Sequence, residues 1–407
     1  MLHQRQFALF LAGRAASLLG SSMAPIAISF AILDHRGTAT QVGEVLAAQS
    51  IPLVILLLAG GGAADRFGRR RVMVLADMAR GAAQGVLAGW LLLGHPPLWA
   101  FMAAEAVIGA GQAVFGPAST GLVPQLVTDR DQLQQANSLR GMVTSLAGVA
   151  GPALAGVLVA AISPGWALAA GAGTYLLSAA LLFRLRLPKR SGPATPSFVA
   201  QLREGWVEFR SRTWLWVIVL QYAIFHLVVF APFMVLGVVV AKTSLGGAAV
   251  WGAVLAALSA GSVLGSLLVV RFQPRRPLVL ATAVGILWAA PLLSLALAGP
   301  AWAVGLGTLG AGCGLGIFAA LWDTTIQREV PERVLSSVSS FDYLGSLALI
   351  PVGYALAGPL SAVMGRGPLF LAGAVWVAVS TVAVLAVPEV RRLTSVPTVH
   401  KQEGELC

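Results

Sequence analysis

Trp214 to Ala241 reads WLWVIVLQYAIFHLVVFAPFMVLGVVVA, a run without a single Asp, Glu, Lys or Arg. A helix needs about 20 predominantly apolar residues to cross the hydrocarbon core of a bilayer, and this run is long enough. Pro232 and Gly237 inside it do not demote it, because membrane helices tolerate both where neighbouring helices re-satisfy the freed backbone groups. Comparable runs precede it near 7–33, 42–63, 72–93, 98–122, 136–161 and 166–185, and follow it near 248–270, 278–298, 301–324, 337–360 and 367–387. Twelve spans of that length occupy about 240 residues of a 407-residue chain, which leaves room for short connectors and one longer one.

Composition agrees. Apolar residues make up 57% and charged residues only 11% of the chain, where a soluble domain carries about a quarter charged. Mean hydropathy is +0.82. The net charge of +11 is not a nucleic-acid footprint, because its distribution follows the spans. Of the 27 Lys and Arg, Arg36, Lys242 and Arg366 fall on one side, and Arg14 and Arg80 fall inside spans. All the others fall in connectors of the opposite side. The basic side of a membrane protein is cytoplasmic, so both termini and the long middle connector are expected inside the cell. Met1 to Gln6 carries Arg5 and runs straight into an apolar stretch, with no small-residue cleavage site ahead of a soluble domain. It therefore reads as an uncleaved first helix. Arginine outnumbers lysine 24 to 3, which points to a GC-rich bacterial genome and hence to a bacterial inner (plasma) membrane.

The expected organisation is a six-helix half over 1–187, a connector over 188–213, a second six-helix half over 214–390 and a cytoplasmic tail over 391–407. In the connector, Phe198, Leu202, Trp206 and Phe209 recur at helical spacing among Arg203, Glu204, Glu208 and Arg210. This is the pattern of a short amphipathic helix on the membrane surface. The halves echo one another. Gly151 to Gly156 reads GPALAG and Gly353 to Gly358 reads GYALAG, 202 residues later; Gln125 meets Gln327 and Ser138 meets Ser340 at the same offset. Arg66-Phe67 and Arg70-Arg71 recur as Arg271-Phe272 and Arg275-Arg276. An offset of half the chain is what two repeated halves produce. Cys313 and Cys407 form no metal or disulfide pattern, and the spans hold no nucleophile–base pair, metal cluster or phosphate loop. No metal, cofactor or enzymatic activity is expected.

The connector between the second and third spans, Gly61-Gly62-Ala63-Ala64-Asp65-Arg66-Phe67-Gly68-Arg69-Arg70-Arg71, resembles the signature loop of the major facilitator superfamily, with Ala63 where leucine is usual. The resemblance implies a cytoplasmic latch built from Gly61, Asp65, Arg66, Gly68, Arg69 and Arg70, with Asp77 and Arg80, one helical turn apart, as a structural pair or part of the same gate. Gly148, Gly151, Pro152 and Gly156 in the fifth span are similar to the antiporter motif of the family's exporters. Asp77-Met78-Ala79-Arg80, Gln135-Ala136-Asn137-Ser138 and Glu204-Gly205-Trp206 look like the enterobactin and macrolide exporter branch of drug–proton antiporters, as does the first helix around Gly13-Arg14. The fourth span departs from that branch's usual pattern, with Glu105 where an arginine is common.

What this implies is an all-α membrane protein of twelve spans in two pseudo-symmetric halves around a central cavity. Its expected function is export of a small, partly apolar compound, a drug or secondary metabolite, in exchange for protons. The alternative is a siderophore or metabolite exporter, or an uptake carrier, on the same fold; a channel or a transport-dead sensor is the rival class. Partners are a small-molecule substrate, protons and the lipid bilayer, with the protein acting as a monomer. A charge in hydrocarbon costs a few kcal/mol, so the ionisable residues inside spans are the candidates for work. Glu105 lacks a basic partner within one turn and is the first proton-coupling candidate, ahead of Asp34 and Glu44 near outer ends. Arg14, Gln49, Gln112, Gln221, Tyr222, Phe225 and His226 are the cavity candidates.

Overall fold

A computed structural model describes residues 5–127, 130–186, 198–272 and 274–394, with side chains for all of these except 58–65, 124, 130–134, 198–202 and 332. The elements are helical throughout. Six long helices open the chain: α1 (Arg5–Asp34), α2 (Ala39–Phe67), α3 (Arg69–Leu93), α4 (Leu98–Leu126), α5 (Arg130–Ala161) and α6 (Pro164–Phe183). A shorter α7 (Phe198–Ser211) follows. Then come six more: α8 (Thr213–Leu245), α9 (Ala248–Arg271), α10 (Pro277–Ala296), α11 (Ala301–Glu329), α12 (Arg333–Met364) and α13 (Arg366–Ala386).

Among the described residues, eleven of these helices are long and apolar enough to cross a bilayer. The twelfth is α3. It is 25 residues long, about 37 Å at 1.5 Å per residue, but its apolarity is diluted by Asp77, Arg80 and Gln84, all buried. A helix that hides its charged groups against neighbours rather than lipid escapes a hydropathy test while still spanning. Helix α8 contains two wide turns at His226–Phe230 and Ala241–Leu245, the first ending two residues before Pro232. Helix α5 begins six residues earlier than the apolar run expected from the sequence, at Arg130 rather than near 136, and Arg140, counted with the basic connectors, lies ten residues inside it.

Gly68 divides α2 from α3 at φ +87°, a backbone region that side chains other than glycine's seldom enter. The helix α7 is docked rather than free: Trp206 stacks on Phe209 at 5.7 Å and both rings meet Phe341 of α12. The remainder of the connector, 188–197, and the tail from 395 lie outside the described residues.

The core divides by depth. At the end of the helices opposite the arginine-rich connectors, one continuous buried cluster draws on both halves, from Ile26, Phe30 and Val45 to Phe233, Trp251 and Leu292. At the basic end two separate clusters form. One lies within α1 to α6, around Phe10, Met73 and Leu122; the other lies within α7 to α13, around Leu215, Trp322 and Val338. The halves are therefore sealed together at one membrane face and parted at the other.

The seal is made by backbone contact. Gly156 of α5 lies against Ala248 and Gly252 of α9, and at the pseudo-equivalent place Gly358 of α12 lies against Thr40 of α2. Gly151 packs on Ser22 of α1, and its equivalent Gly353 packs on Leu227 and Ala231 of α8. Each pair therefore places one glycine against its own half and one against the other, and small residues let membrane helices approach this closely. A Cβ on Gly252 would sit 2.5 Å from the Pro152 carbonyl oxygen and 3.0 Å from the Gly156 Cα, whereas one on Gly305 would meet nothing within 4 Å. Gly252→Val is therefore expected to destabilise the purified protein by about 1–3 kcal/mol, as overpacking does, and to lower its melting temperature in detergent. Gly305→Val should melt with the wild type, and equal melting of both variants would refute the seam.

Candidate functional site

Charges buried in the first half form one network. Arg80 donates to the Asp77 carboxylate one turn away, and Asp77 also accepts from Ser17 (3.0 Å) and Ser178. The Arg80 guanidinium reaches Ser17 at 3.0 Å and lies over the rings of Phe115 and Tyr175, at 4.8 and 4.6 Å. Ser21 bonds the Tyr175 hydroxyl at 3.0 Å. The pair thus joins α1, α3, α4 and α6 through charge-assisted hydrogen bonds and ring faces, which is how a buried ion pair is made tolerable.

Glu105 differs. It is fully buried on α4, and neither carboxyl oxygen has a hydrogen-bond partner. It lies seven residues from the α4 end on the sealed face, beside Phe101 and Ala104 of the shared cluster. Asp34 and Glu44 lie elsewhere. Asp34 pairs with Lys242 at 2.7 Å, half-exposed at the sealed face, and so ties the end of α1 to the end of α8. Glu44 is half-buried on α2.

The loop after α2 anchors within its own half. Arg69 donates to the Gly121 carbonyl and Arg70 to the Leu185 carbonyl, and Arg66 lies over Phe67. Gly61 and Asp65 fall on the last turns of α2, where side chains lie outside the described residues.

The cavity candidates separate into three groups. Arg14 reaches from α1 to Ser119 of α4 (2.6 Å) and Thr144 of α5 (3.4 Å). Gln112 is exposed on the α4 face that carries Thr120 two turns on. Gln49 is half-buried and turns its backbone carbonyl onto Gly109. In the second half, Gln221 and Phe225 do not face the space between the halves. Gln221 bonds Ser380 at 3.3 Å and Phe225 packs edge-on to Trp288, so both line a small gap between α8, α10 and α13. His226 bonds the Tyr222 carbonyl at 2.8 Å through its ring and packs among Phe225 and Phe230.

Tyr222 borders a second and larger cavity that the sequence reading passed over. It measures about 310 Å³ and is lined by Phe318, Trp322, Asp323, Asp342 and Tyr343. Tyr222 stacks on Phe318 at 4.2 Å, Phe318 stacks on Trp322 at 5.7 Å, and the Trp322 indole donates to Asp342 at 3.1 Å. Arg140 was also missed. It bonds Asn137 (3.0 Å) and Thr120 (3.1 Å) and faces Arg14. One signal pointed to both: at the repeat offset of 202 that matches Ser138 with Ser340, Arg140 falls on Asp342. Among the described residues, no group of three His, Cys, Asp or Glu side chains is placed to hold a metal.

The sequence profile of the Major Facilitator Superfamily matches residues 10–350. The chain is 28% identical over 390 residues to the multidrug efflux pump Tap of Mycolicibacterium fortuitum, covering 92% of this chain and 93% of that one. It is 24% identical over 399 residues to macrolide efflux protein A of Streptococcus pyogenes, covering 94% and 96%. Its fold is similar to that of a POT family transporter solved with 5-aminolevulinic acid, with a TM-score of 0.75 at 12% identity over 94% of this chain and 95% of that one. It is also similar to the nucleoside transporter NupG, with a TM-score of 0.72 at 13% identity over 94% and 98%.

Removing one partner of a buried ion pair strands the other and costs on the order of 3–5 kcal/mol. Asp77→Asn and Arg80→Gln are each expected to lower the melting temperature of the purified protein sharply. The double variant should lose less than the two single losses together. Strictly additive losses would show that the pair is not the unit.

Proposed function

The chain belongs to the Major Facilitator Superfamily, and on that footing we propose that it exports small, partly apolar compounds, drugs or secondary metabolites, by proton-coupled alternating access. The observation that carries this reading is the uneven core: one apolar cluster joins the halves at one face and two separate clusters stand apart at the other. That is a carrier closed on one side and open on the other. With the basic connectors and both termini in the cytoplasm of a bacterial cell, the open side faces inward, ready to load cargo from the cytoplasm or the inner leaflet. Of the antiporter motif, Gly148, Pro152 and Gly156 meet α9 across the seam, and Gly151 packs on α1 of its own half. The full-length likeness to two efflux proteins gives the direction.

In this reading residues 1–187 and 214–390 rock as bodies in the plasma membrane, each monomer working alone, with 188–213 as their tether. The stretch from Gly61 to Arg70, where α2 turns into α3, then closes the inner side once the outer seam opens, and Asp34 and Lys242 part. Glu105 carries the proton. A carboxylate sealed in apolar surroundings without a partner costs several kcal/mol, so Glu105 suits the closed outer side as the neutral acid. Parting of the seam exposes it to outside water, where it takes up a proton as cargo leaves; once the seam has re-formed, the proton passes to the cytoplasm and the next cargo loads. The Tyr175, Ser21, Arg80, Ser17 and Asp77 network runs from its neighbourhood toward the basic face, and supplies polar groups along the way inward.

Two measurements test the reading. Inside-out membrane vesicles containing the protein, given an acid lumen and a panel of labelled apolar drugs, should accumulate at least one of them as protons leave, and dissipating the gradient should abolish the uptake. Accumulation only in right-side-out vesicles would make the protein an importer. Glu105→Gln holds the side chain neutral. It should bind cargo as the wild type does and lose about tenfold or more of the gradient-driven rate, within the range that a proton-transfer group commands. A variant that keeps the wild-type response to the gradient would remove Glu105 from coupling.

A further inference from the structure

Arg14 and Arg140 are two guanidinium groups within electrostatic reach of one another, in spans where a single charge is expensive. Their hydrogen bonds go only to uncharged groups: Ser119 and Thr144 for Arg14, Asn137 and Thr120 for Arg140. Neither forms an ion pair among the described residues, and the Nε–H of each is buried without an acceptor. Asp77 does not serve them, since it is spent on Arg80. Two adjacent cations with unanswered N–H groups define the place of an anion, and a carboxylate or similar planar oxyanion fits the guanidinium fork.

The opposite half carries the complement. The 310 Å³ cavity there has Asp323 and Asp342 on its wall with Tyr222, Phe318, Trp322 and Tyr343, and no basic side chain lines it. Stacked ring faces beside carboxylates receive an organic ammonium group. The two places lie at one depth. Arg14 and Arg140 stand nine and ten residues from the basic ends of α1 and α5, and Asp342 stands nine residues from the basic end of α12. Asp342 also occupies the repeat equivalent of Arg140.

Building on the export reading, we infer that the cargo is a dipolar amphiphile: an anionic group held by Arg14 and Arg140, an apolar body, and a protonated amine held by the aromatic and acidic wall of the second half. A compound with one of the two charges would satisfy one wall and leave the other unpaired, so affinity separates these classes even where their apolar bodies match.

Binding to the purified protein in nanodiscs tests this without reference to direction of transport. Quenching of tryptophan fluorescence would be titrated with three aromatic amphiphiles of one scaffold, bearing an ammonium group, a carboxylate, or both. The compound with both charges is expected to bind at least about tenfold more tightly than either other. Arg14→Gln/Arg140→Gln should erase the advantage contributed by the carboxylate and leave the ammonium compound unchanged; Asp323→Asn/Asp342→Asn should do the reverse. Arg14→Lys/Arg140→Lys keeps the charge, and should retain most of the advantage if the glutamine variant fails through misfolding. Equal binding of the doubly charged and ammonium compounds by the wild type, or wild-type affinity in the glutamine variant, would overturn the inference. Wild-type binding of this selectivity without accumulation in inside-out vesicles would instead overturn the export reading and leave this one standing.

Discussion

Backbone-to-backbone contact at glycine is the constraint on which the arrangement of the two halves depends. In lipid, apolar side chains gain nothing by meeting each other rather than an acyl chain, so association of helices rests on close packing. Gly156 against Ala248 and Gly252, and Gly358 against Thr40, bring α5 to α9 and α12 to α2 closer than any Cβ permits. These contacts lie toward one end of the helices. The core that both halves share forms at that end, and at the basic end each half keeps its own. A seam of small residues also has little interdigitation to undo, which suits a surface that must part and re-form.

The charges inside the spans sort by what surrounds them. Asp77 and Arg80 satisfy each other and are further held by Ser17, Ser178, Phe115 and Tyr175; such a group is a fastener, because changing its state would loosen α3 from three other helices. Glu105 has nothing to satisfy it, and Arg14 with Arg140 have only hydroxyls and an amide. An unsatisfied polar group in a low-dielectric interior is unstable unless something that comes and goes completes it. For a lone carboxyl that is a proton; for paired guanidinium groups it is an anion. The contrast between the fastened pair and the two open groups separates framework from working parts more sharply than depth in the membrane does.

Much of this was legible in the sequence, and what was not has a physical reason. Apolar run length marks all twelve spans, α3 among them as the run near 72–93, although the charges it hides against its neighbours dilute its hydropathy. The glycines of GPALAG and GYALAG announced the repeat. Sequence could not say which way a side chain points around a helix whose every face is apolar, so Gln221 and Phe225 were placed in a central cavity although they pack toward α10 and α13. Arg140 counts with the basic connectors by its charge although it lies inside the run near 136–161; the polar residues 130–135 form the first turns of α5, which sets it ten residues into the helix. Asp323 and Asp342 drew little notice as single acidic residues, since a cavity wall is made by three helices at once.

The repeat also shows where the two halves part company. Gly151 and Gly353, and Gly156 and Gly358, do the same work in both halves, because the seam needs the same geometry twice. Arg140 and Asp342 stand at equivalent positions with opposite charge. Each turns toward the helices equivalent to the other's: Arg140 bonds Thr120 of α4 beside Arg14 of α1, and Asp342 bonds Trp322 of α11 in the cavity that Tyr222 of α8 borders. A symmetric frame with like residues at these places would offer a ligand two identical walls and repel any dipole. Opposite charges at one depth turn the same frame into a polar receptor, and they leave it with a reason to attract its own halves together once the ligand has gone.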